Sequence, residues 1–229
     1  MSMKPLEKTM EVGQFSSEVF PVYQNKGRTR FEWIKRIQDI VLSLLGILIL
    51  SPVFIIIALF IKAEDPRGPI FFAQVRVGKN GIPFRMFKFR SMAQNAEERL
   101  AELIHQNEIH GAMFKMKNDP RVTRIGRIIR KTSMDELPQL LNVLRGEMSL
   151  VGPRPPLPRE VNDYTPYDMQ RLMVIPGCTG LWQVSGRNHV GFHEMVELDL
   201  KYIREQSFTN DLRILLRTVK VVLGSNDAY

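Results

Sequence analysis

Hydrophobic residues are concentrated in one long run near the start of the chain. From Ile40 to Ile61 the sequence reads IVLSLLGILILSPVFIIIALFI, 22 residues without a charged side chain. A helix of this length spans roughly 33 Å, which matches the hydrocarbon thickness of a bilayer. The run begins too far into the chain and is too long for a signal peptide. We therefore predict a membrane segment here, in preference to a buried core helix.

Ser51 and Pro52 lie near the centre of that run and predict a break in its helix. Proline lacks an amide donor and collides with the carbonyl of Leu48, while the Ser51 hydroxyl can bond a freed backbone group. Both flanks are basic, with five Lys and Arg residues within 26–36 and four within 62–79. A spanning helix leaves only its cytoplasmic flank rich in cations. A re-entrant helix-break-helix fits both observations, and a kinked spanning anchor is the alternative.

The pattern changes after the membrane segment. Apolar and polar residues alternate in GPIFFAQVRVGKNGIPFRMFKFRSM, and the turn residues at 79–81 predict a β-hairpin. Most later segments have the helical period instead. Residues 121–131 and 211–223 predict basic amphipathic helices, which suit either anionic headgroups or a solvated surface.

These elements predict a mainly helical α+β fold in three parts. Residues 1–30 form an N-terminal tail, 31–63 form the re-entrant membrane hairpin broken at its Ser-Pro pair, and 64–229 form a domain on the cytoplasmic face. That domain contains the β-hairpin and the surface amphipathic helices.

The charge balance narrows the choice of partner. The 32 Lys and Arg residues outnumber the 24 Asp and Glu residues, which gives a net charge of +8. Such a surface favours an anionic partner, whether nucleic acid, a phosphate-bearing substrate or lipid headgroups. Cys178 is the only cysteine, so an intrachain disulfide is excluded.

Two adjacent carboxylates stand out in TSMDELP, residues 132–138. Ser133 and Glu136 match a capping box, in which each side chain satisfies a backbone donor of the other residue at a helix start. The same helix end attracts phosphate and keeps a carboxylate ionised. Asp135 could then act as a nucleophile and Glu136 could hold a divalent cation. The residues alone leave capping and chemistry both open.

Several cations lie on or near the predicted strands, helices and loops that precede or follow the carboxylate pair. Lys88 and Arg90 lie on or beside the second predicted strand, and Arg130 precedes the carboxylate pair. Arg154 in GPRP and Arg187 in GRN lie on predicted loops, where guanidinium groups could clamp a pyrophosphate. Each of these loop arginines could also be an ordinary surface residue.

Four ordered motifs resemble a known family. A hydrophobic segment containing Ser-Pro is followed by KFRSM, then TSMDELPQLLNVLRGEMSLVGPRP, then PGCTGLWQVSGRN. This order resembles the bacterial polyprenyl-phosphate sugar-1-phosphate transferases, the monotopic phosphoglycosyl transferases. The resemblance runs over residues 31–229. Departures are small, with Met134 and Pro156 each standing where the family often has Leu.

The resemblance implies an enzyme of the inner membrane, on its cytoplasmic face, that starts exopolysaccharide or capsule repeat-unit synthesis. It would transfer a sugar-1-phosphate from a UDP-sugar to undecaprenyl phosphate and release UMP. Anionic lipids are expected partners and nucleic acid is not, while a homo-oligomer is left open. The sugar is not identified.

The same resemblance assigns roles to individual residues. The nucleophile that forms a covalent phosphosugar intermediate falls on Asp135, and the Mg2+ ligand falls on Glu136. The membrane helix break falls on Ser51 and Pro52. The family's substrate-binding cations fall on the following residues: Lys88, Arg130, Arg154 and Arg187. Arg90, in the same KFRSM motif as Lys88, is included as a substrate-binding candidate.

Two other functions compete with this one. A membrane-anchored basic module could bind anionic lipid or nucleic acid, with Asp135 and Glu136 serving only as a helix cap. A glycosidase fits poorly, because its paired carboxyls flank the scissile bond at roughly 5 Å or more on separate elements.

Overall fold

The structure is a computed structural model. It describes residues 29–96, 98–103, 105, 116, 119–186 and 191–224. The predicted tail at 1–30 therefore lies almost wholly outside the described residues, as does the GRN motif with Arg187.

The membrane segment forms helix α1, Thr29–Glu64, with Pro52 inside it. Helical structure continues through the proline, so the predicted break at Ser51 and Pro52 is not confirmed. The Ser51 Oγ donates to the Leu48 carbonyl at 2.8 Å, which is the carbonyl that Pro52 cannot bond. A proline is tolerated inside a helix when another donor satisfies that carbonyl. Whether α1 re-enters or crosses the membrane stays a prediction.

Helix α1 is long and apolar enough to cross a membrane. Most of its apolar side chains are exposed, which is unusual for a helix attached to a folded domain. The most exposed of them, all between about half and three-quarters exposed, are Trp33, Ile37, Leu44, Leu48, Ile49, Ile55, Leu59 and Phe60. This surface indicates that α1 associates with a membrane.

The predicted β-hairpin is confirmed. Strands β1, Phe71–Val77, and β2, Pro83–Phe89, pair antiparallel. Between them, Asn80 and Gly81 have positive φ values of 57° and 79°. Asn and Gly adopt this left-handed conformation most readily, which explains the turn.

Helices form most of the remaining chain, as predicted. They are α2 Leu100–Leu103, α3 Arg124–Lys131, α4 Gln139–Arg145, α5 Pro158–Val161, α6 Pro166–Met169, α7 Phe192–Arg204 and α8 Phe208–Gly224. Three 3-10 turns, Lys79–Gly81, Met134–Glu136 and Gln170–Met173, complete the regular helical structure of the described chain. Helix α3 begins at Arg124, later than the predicted start at residue 121, because Thr123 Oγ1 accepts from the amide of Gly126 in the first turn.

A second, smaller sheet was not predicted. Strands β3, Ser149–Val151, and β4, Gly177–Thr179, pair in parallel. A Cβ on Gly177 would lie 2.0 Å from the Gly152 backbone nitrogen, so the close approach beside these strands requires glycine. Strands β2 and β3 and helices α4, α7 and α8 enclose the main core, which contains Met86, Val143, Val151, Val196, Leu200, Tyr202 and Ile214.

Helix α1 is attached to this domain near both of its ends. Near its start, Arg36 donates to the carbonyls of Val143 and Leu144 at the end of α4. At its last residue, Glu64 accepts from the amides of Arg124 and Ile125 at the start of α3, at 2.8 and 3.0 Å. A cation at a helix C terminus and an anion at a helix N terminus both complement the helix dipole. Helix α1 therefore supplies the caps of two helices of the domain.

The two predicted basic amphipathic helices are both present, and α8 is the clearer case. Its side chains at Phe208, Leu212, Leu216 and Val219 are each between 44% and 65% exposed. Arg213, Arg217 and Lys220 lie beside this apolar stripe.

Candidate active site

The carboxylate pair lies in the Met134–Glu136 turn that links α3 to α4. Ser133, which precedes the turn, has a φ of 55° and makes no side-chain cap hydrogen bond. Helix α4 begins only at Gln139, with Pro138 as its cap residue. The predicted capping box is therefore wrong, because the left-handed backbone at Ser133 takes the chain out of the cap geometry. Capping does not explain why two carboxylates occur here.

Asp135 is 8% exposed. Burial raises the pKa of its carboxyl to about 6, with Glu136 adding to the rise and Lys88 and Arg130 opposing it. No Lys or Arg nitrogen of the described residues forms an ion pair with this carboxylate. At neutral pH the group is mostly ionised and partly desolvated, and no cation among the described residues pairs with it. These properties favour nucleophilic attack.

Lys88 brings a positive charge to the pair. Its Nζ lies 2.7 Å from Glu136 Oε1. Burial alone would lower the pKa of Lys88, but the charges of Glu136 and Asp135 outweigh it and raise that pKa. The ammonium group is therefore charged at neutral pH and holds Glu136 in place, while Glu136 remains 42% exposed.

Asn142 positions the strand that carries Lys88. It is fully buried on α4, where its Oδ1 accepts from the Phe87 amide at 2.9 Å and its Nδ2 donates to the Arg85 carbonyl at 2.7 Å. Both backbone groups lie on the edge of β2 that faces away from β1. Because Asn142 follows the carboxylate turn on α4, this contact fixes Lys88 relative to Asp135.

Arg154 lies on a loop whose backbone is held by a buried ion pair. Arg171 and Asp199 are each 1% exposed and their charged groups approach to 2.6 Å. Arg171 donates to the Arg154 carbonyl at 3.4 Å, and Arg154 opposes the rise in the pKa of Asp199 that burial causes. The Arg154 guanidinium approaches Glu160 at 3.7 Å. Sequence reasoning missed Arg171 and Asp199, because neither is near Arg154 along the chain.

The predicted cations therefore have different surroundings. Lys88 and Arg130 both lower the pKa of Asp135. Arg154 is linked to the same turn indirectly, because Arg154 and Glu136 both affect the pKa of Arg76, a buried arginine. Arg90 instead donates to Asp65 at 2.6 Å, which ties the strand end to the chain following α1. Its predicted role in substrate binding stays a prediction.

The carboxylates suit a cation that is shared with a substrate. Among the residues that the structure describes, there is no group of three or more His, Cys, Asp and Glu side chains that could hold a metal by itself. Mg2+ is commonly held by one or two carboxylates together with substrate phosphates and water. The accessible carboxylate of Glu136 fits that donor set.

Comparisons with known proteins agree with the motifs. The profile of the family described as bacterial sugar transferase matches residues 30–225. The galactosyl transferase CpsE of Streptococcus agalactiae is 50% identical over 190 residues, which cover 82% of this chain and 42% of that protein. The undecaprenyl-phosphate galactose phosphotransferase of Salmonella typhimurium is 45% identical over 231 residues, which cover 98% of this chain and 48% of that protein.

A third relative is similar in length. The exopolysaccharide production protein ExoY of Rhizobium meliloti is 41% identical over 199 residues, which cover 85% of this chain and 88% of that protein. By contrast, the chain spans about half the length of the streptococcal and Salmonella relatives. The family indicated by the four motifs is confirmed by these matches, and the chain belongs to the bacterial sugar transferases.

Proposed function

We propose that this protein transfers a hexose-1-phosphate from a UDP-sugar to undecaprenyl phosphate and releases UMP, as the first membrane step of exopolysaccharide or capsule synthesis. The names of the Salmonella and Rhizobium relatives support the acceptor and the pathway class. The observation that carries the proposal is the buried carboxylate of Asp135, which no described cation pairs directly, beside a second carboxylate held by Lys88.

The reaction proceeds in two displacements. An oxygen of Asp135 attacks the β-phosphorus of the UDP-sugar, and the bond from that phosphorus to the bridging oxygen breaks, so UMP leaves with the bond electrons. A phosphate oxygen of undecaprenyl phosphate then attacks the same phosphorus and displaces Asp135. The lipid product carries a diphosphate sugar, and the carboxylate is regenerated.

Positive charge lets two anions approach each other. Arg130 and Lys88 lower the pKa of Asp135 and keep the nucleophile ionised, which is their effect in the free enzyme. With donor bound, we infer that these cations and Arg154 also stabilise charge on the transferring phosphoryl group. Glu136 is the residue that would hold Mg2+, and the bound cation would neutralise phosphate charge.

The attachment of α1 supports a monotopic arrangement. Arg36 and Glu64 contact α4 and α3, which flank the carboxylate turn on either side. A helix that crossed the bilayer would leave one of these two residues on the far side, where it could not reach the domain. We therefore infer that both ends of α1 lie at the cytoplasmic face of the inner membrane, and that α1 enters the bilayer and returns.

The same arrangement explains how two unlike substrates meet. The phosphate of a polyprenyl lipid lies at the headgroup plane, whereas a UDP-sugar is soluble. The exposed apolar stripe of α8, with Arg213, Arg217 and Lys220 beside it, suits a helix that lies on anionic headgroups. The catalytic turn is then held at the surface from which the lipid phosphate is reached.

A single-turnover assay tests the chemistry. The full-length protein in nanodiscs, with Mg2+ and no acceptor, is mixed with UDP-glucose, UDP-galactose or either N-acetylated form. We expect one of these donors to release UMP in an amount close to that of the enzyme, and undecaprenyl phosphate to convert this burst to continuous turnover. Absence of UMP release with all four donors, with and without acceptor, would sink the proposal.

Cysteine labelling tests the topology. Cys178 is first replaced by Ser, and single cysteines are then placed at Trp33 and at Arg67, which are exposed near the two ends of α1. In sealed inverted vesicles an impermeant maleimide should label both positions. Labelling of only one position would show that α1 crosses the membrane.

A further inference from the structure

Arg76 is a buried cation that the proposed mechanism does not yet use. In the hairpin register, Phe72 pairs with Lys88 and Arg76 pairs with Phe84. Paired residues and residues two apart on a strand share one face of a sheet, so Arg76 lies on the same face as Lys88. Arg76 is 7% exposed there.

The contacts of Arg76 leave part of its guanidinium unused. Nε and Nη2 both donate to Gln74 Oε1, at 3.1 and 2.7 Å, and Nη1 donates to the Pro155 carbonyl at 3.0 Å. These bonds use three of the five N–H groups of an arginine. No carboxylate of the described residues forms an ion pair with Arg76, and no described acceptor takes its other two N–H groups.

The surroundings make this charge costly to hold. Burial, together with the positive charge of Arg154, lowers the pKa of Arg76 to about 10, although Glu160 and Glu136 oppose this shift. The guanidinium is still charged at neutral pH. A buried cation without a bound counterion is strongly unfavourable, so an anion that enters beside it is attracted.

The position of Arg76 indicates which anion. It is tied to Pro155, directly after Arg154, and it lies within electrostatic reach of Glu136 in the catalytic turn. A diphosphate bound between Arg154 and that turn would present one phosphate to each of them. Displacement on the β-phosphorus also sends negative charge to the side opposite the nucleophile.

We propose that Arg76 is a further substrate-binding residue, whose guanidinium binds the diphosphate of the nucleotide-sugar donor together with Arg154. This inference rests on the proposed function and adds a residue to it. Gln74 orients the guanidinium, and the two remaining N–H groups form the binding edge.

Nucleotide binding by Arg76→Gln tests the inference. In the full-length protein we expect UDP and inorganic pyrophosphate to bind at least about tenfold more weakly than to wild type, while uridine binding and the KM for undecaprenyl phosphate are unchanged. Arg85→Gln is the matched control, because Arg85 is exposed on the opposite face of the same hairpin, and it should bind UDP as wild type does.

Arg76→Lys is a second variant that still tests the inference if Arg76→Gln does not fold. It keeps the charge and loses the planar fork, so UDP affinity should fall by about threefold to tenfold. Unchanged UDP affinity in a folded variant, with or without a lower Tm, would overturn the inference and leave Arg76 with a structural role. A raised KM for undecaprenyl phosphate with unchanged UDP affinity would assign the cation to the acceptor and would also overturn it.

Assays of the wild-type protein distinguish a failure of the inference about Arg76 from a failure of the proposed function. If it releases UMP from a UDP-sugar while both Arg76 variants bind UDP normally, only the inference about Arg76 fails. If it neither binds UDP nor releases UMP from any donor, the proposed function fails as well.

Discussion

Asp135 and Asp199 are both buried carboxyls whose pKa burial raises to about 6, yet their surroundings differ. Asp199 accepts from Arg171 Nε at 2.8 Å and is 1% exposed. Asp135 has cations nearby but no ion pair with a described residue, and 8% of its surface is exposed. A shifted pKa therefore does not distinguish a reactive carboxyl from a structural one in this fold. We expect the reactive carboxyl to be the one that pairs with no described cation and keeps some exposed surface.

Asp135→Asn gives the largest expected effect on activity. It removes the proposed nucleophile, so UMP release should fall by about 1,000-fold or more. The acceptor-free burst should disappear, as measured by UMP in the single-turnover assay. Asp163→Asn, at an exposed position of the same domain, should keep the wild-type burst. A full burst in the Asp135 variant would place the nucleophile elsewhere.

Asp135→Asn should also change stability with pH. A carboxyl whose pKa is raised from 3.8 to about 6 binds its proton more tightly in the folded state, so wild type loses stability as pH rises from about 4 to about 6. The variant lacks this loss. Its Tm should match that of wild type near pH 4 and exceed it above pH 6.5, and a lower Tm at pH 7 would contradict the comparison.

Asp199→Asn should have the opposite profile. It leaves the buried Arg171 without its counterion, which costs about 3–5 kcal/mol when one partner of a buried pair is removed. We expect a Tm lower by roughly 10 °C in thermal unfolding. UMP release per folded molecule should fall far less than it does in the Asp135 variant. A variant with wild-type Tm and no activity would instead make Asp199 part of the reaction.

Lys88→Met tests how a neighbouring cation affects the pKa of Asp135. Removing a cation that lowers the pKa of Asp135 should raise that pKa above 6, so the acidic limb of kcat/KM should move to higher pH. Lys79→Met, on the turn of the same hairpin, should leave the limb near pH 6. An unmoved limb in the Lys88 variant would mean that another group controls it.

Asn142→Leu should give the smallest effect. It leaves the Phe87 amide and the Arg85 carbonyl without their partner, which costs about 1–3 kcal/mol for buried groups. We expect a lower Tm and a higher KM for the donor, because Lys88 follows Phe87. Asn162→Leu, at an exposed position, is the control, and equal Tm values for the two variants would show that the contact does not stabilise the hairpin.

Elements with a strong local pattern could be predicted from the sequence. The alternation around residues 79–81 predicted the hairpin, and the apolar run predicted α1. Strands β3 and β4 could not be predicted, because three residues are too few to show alternation and their pairing joins distant segments. The start of α3 was misplaced because Asp119 and Thr123 both offer cap side chains, and only the fold selects between them.

Some residues of the candidate site could likewise be predicted from the sequence, and others could not. The carboxylate pair and Lys88 were found because they lie in short motifs. The capping box was wrong because nothing local reveals the left-handed backbone at Ser133. Arg76 was passed over although its signal was present, since Gln74 and Arg76 are polar residues two apart in an otherwise apolar strand. Their importance depends on the hairpin register, which places them on the same face of the hairpin as Lys88.

The two caps that α1 supplies have a mechanical consequence. Arg36 and Glu64 are 28 positions apart on one helix, roughly 42 Å along its axis if it were straight, and each holds one of the helices that flank the carboxylate turn. A bend of α1 at Pro52 changes the separation of these two anchor points. Because bilayer thickness influences how far an embedded helix tilts or bends, we expect the thickness of the membrane to affect the geometry of the candidate active site.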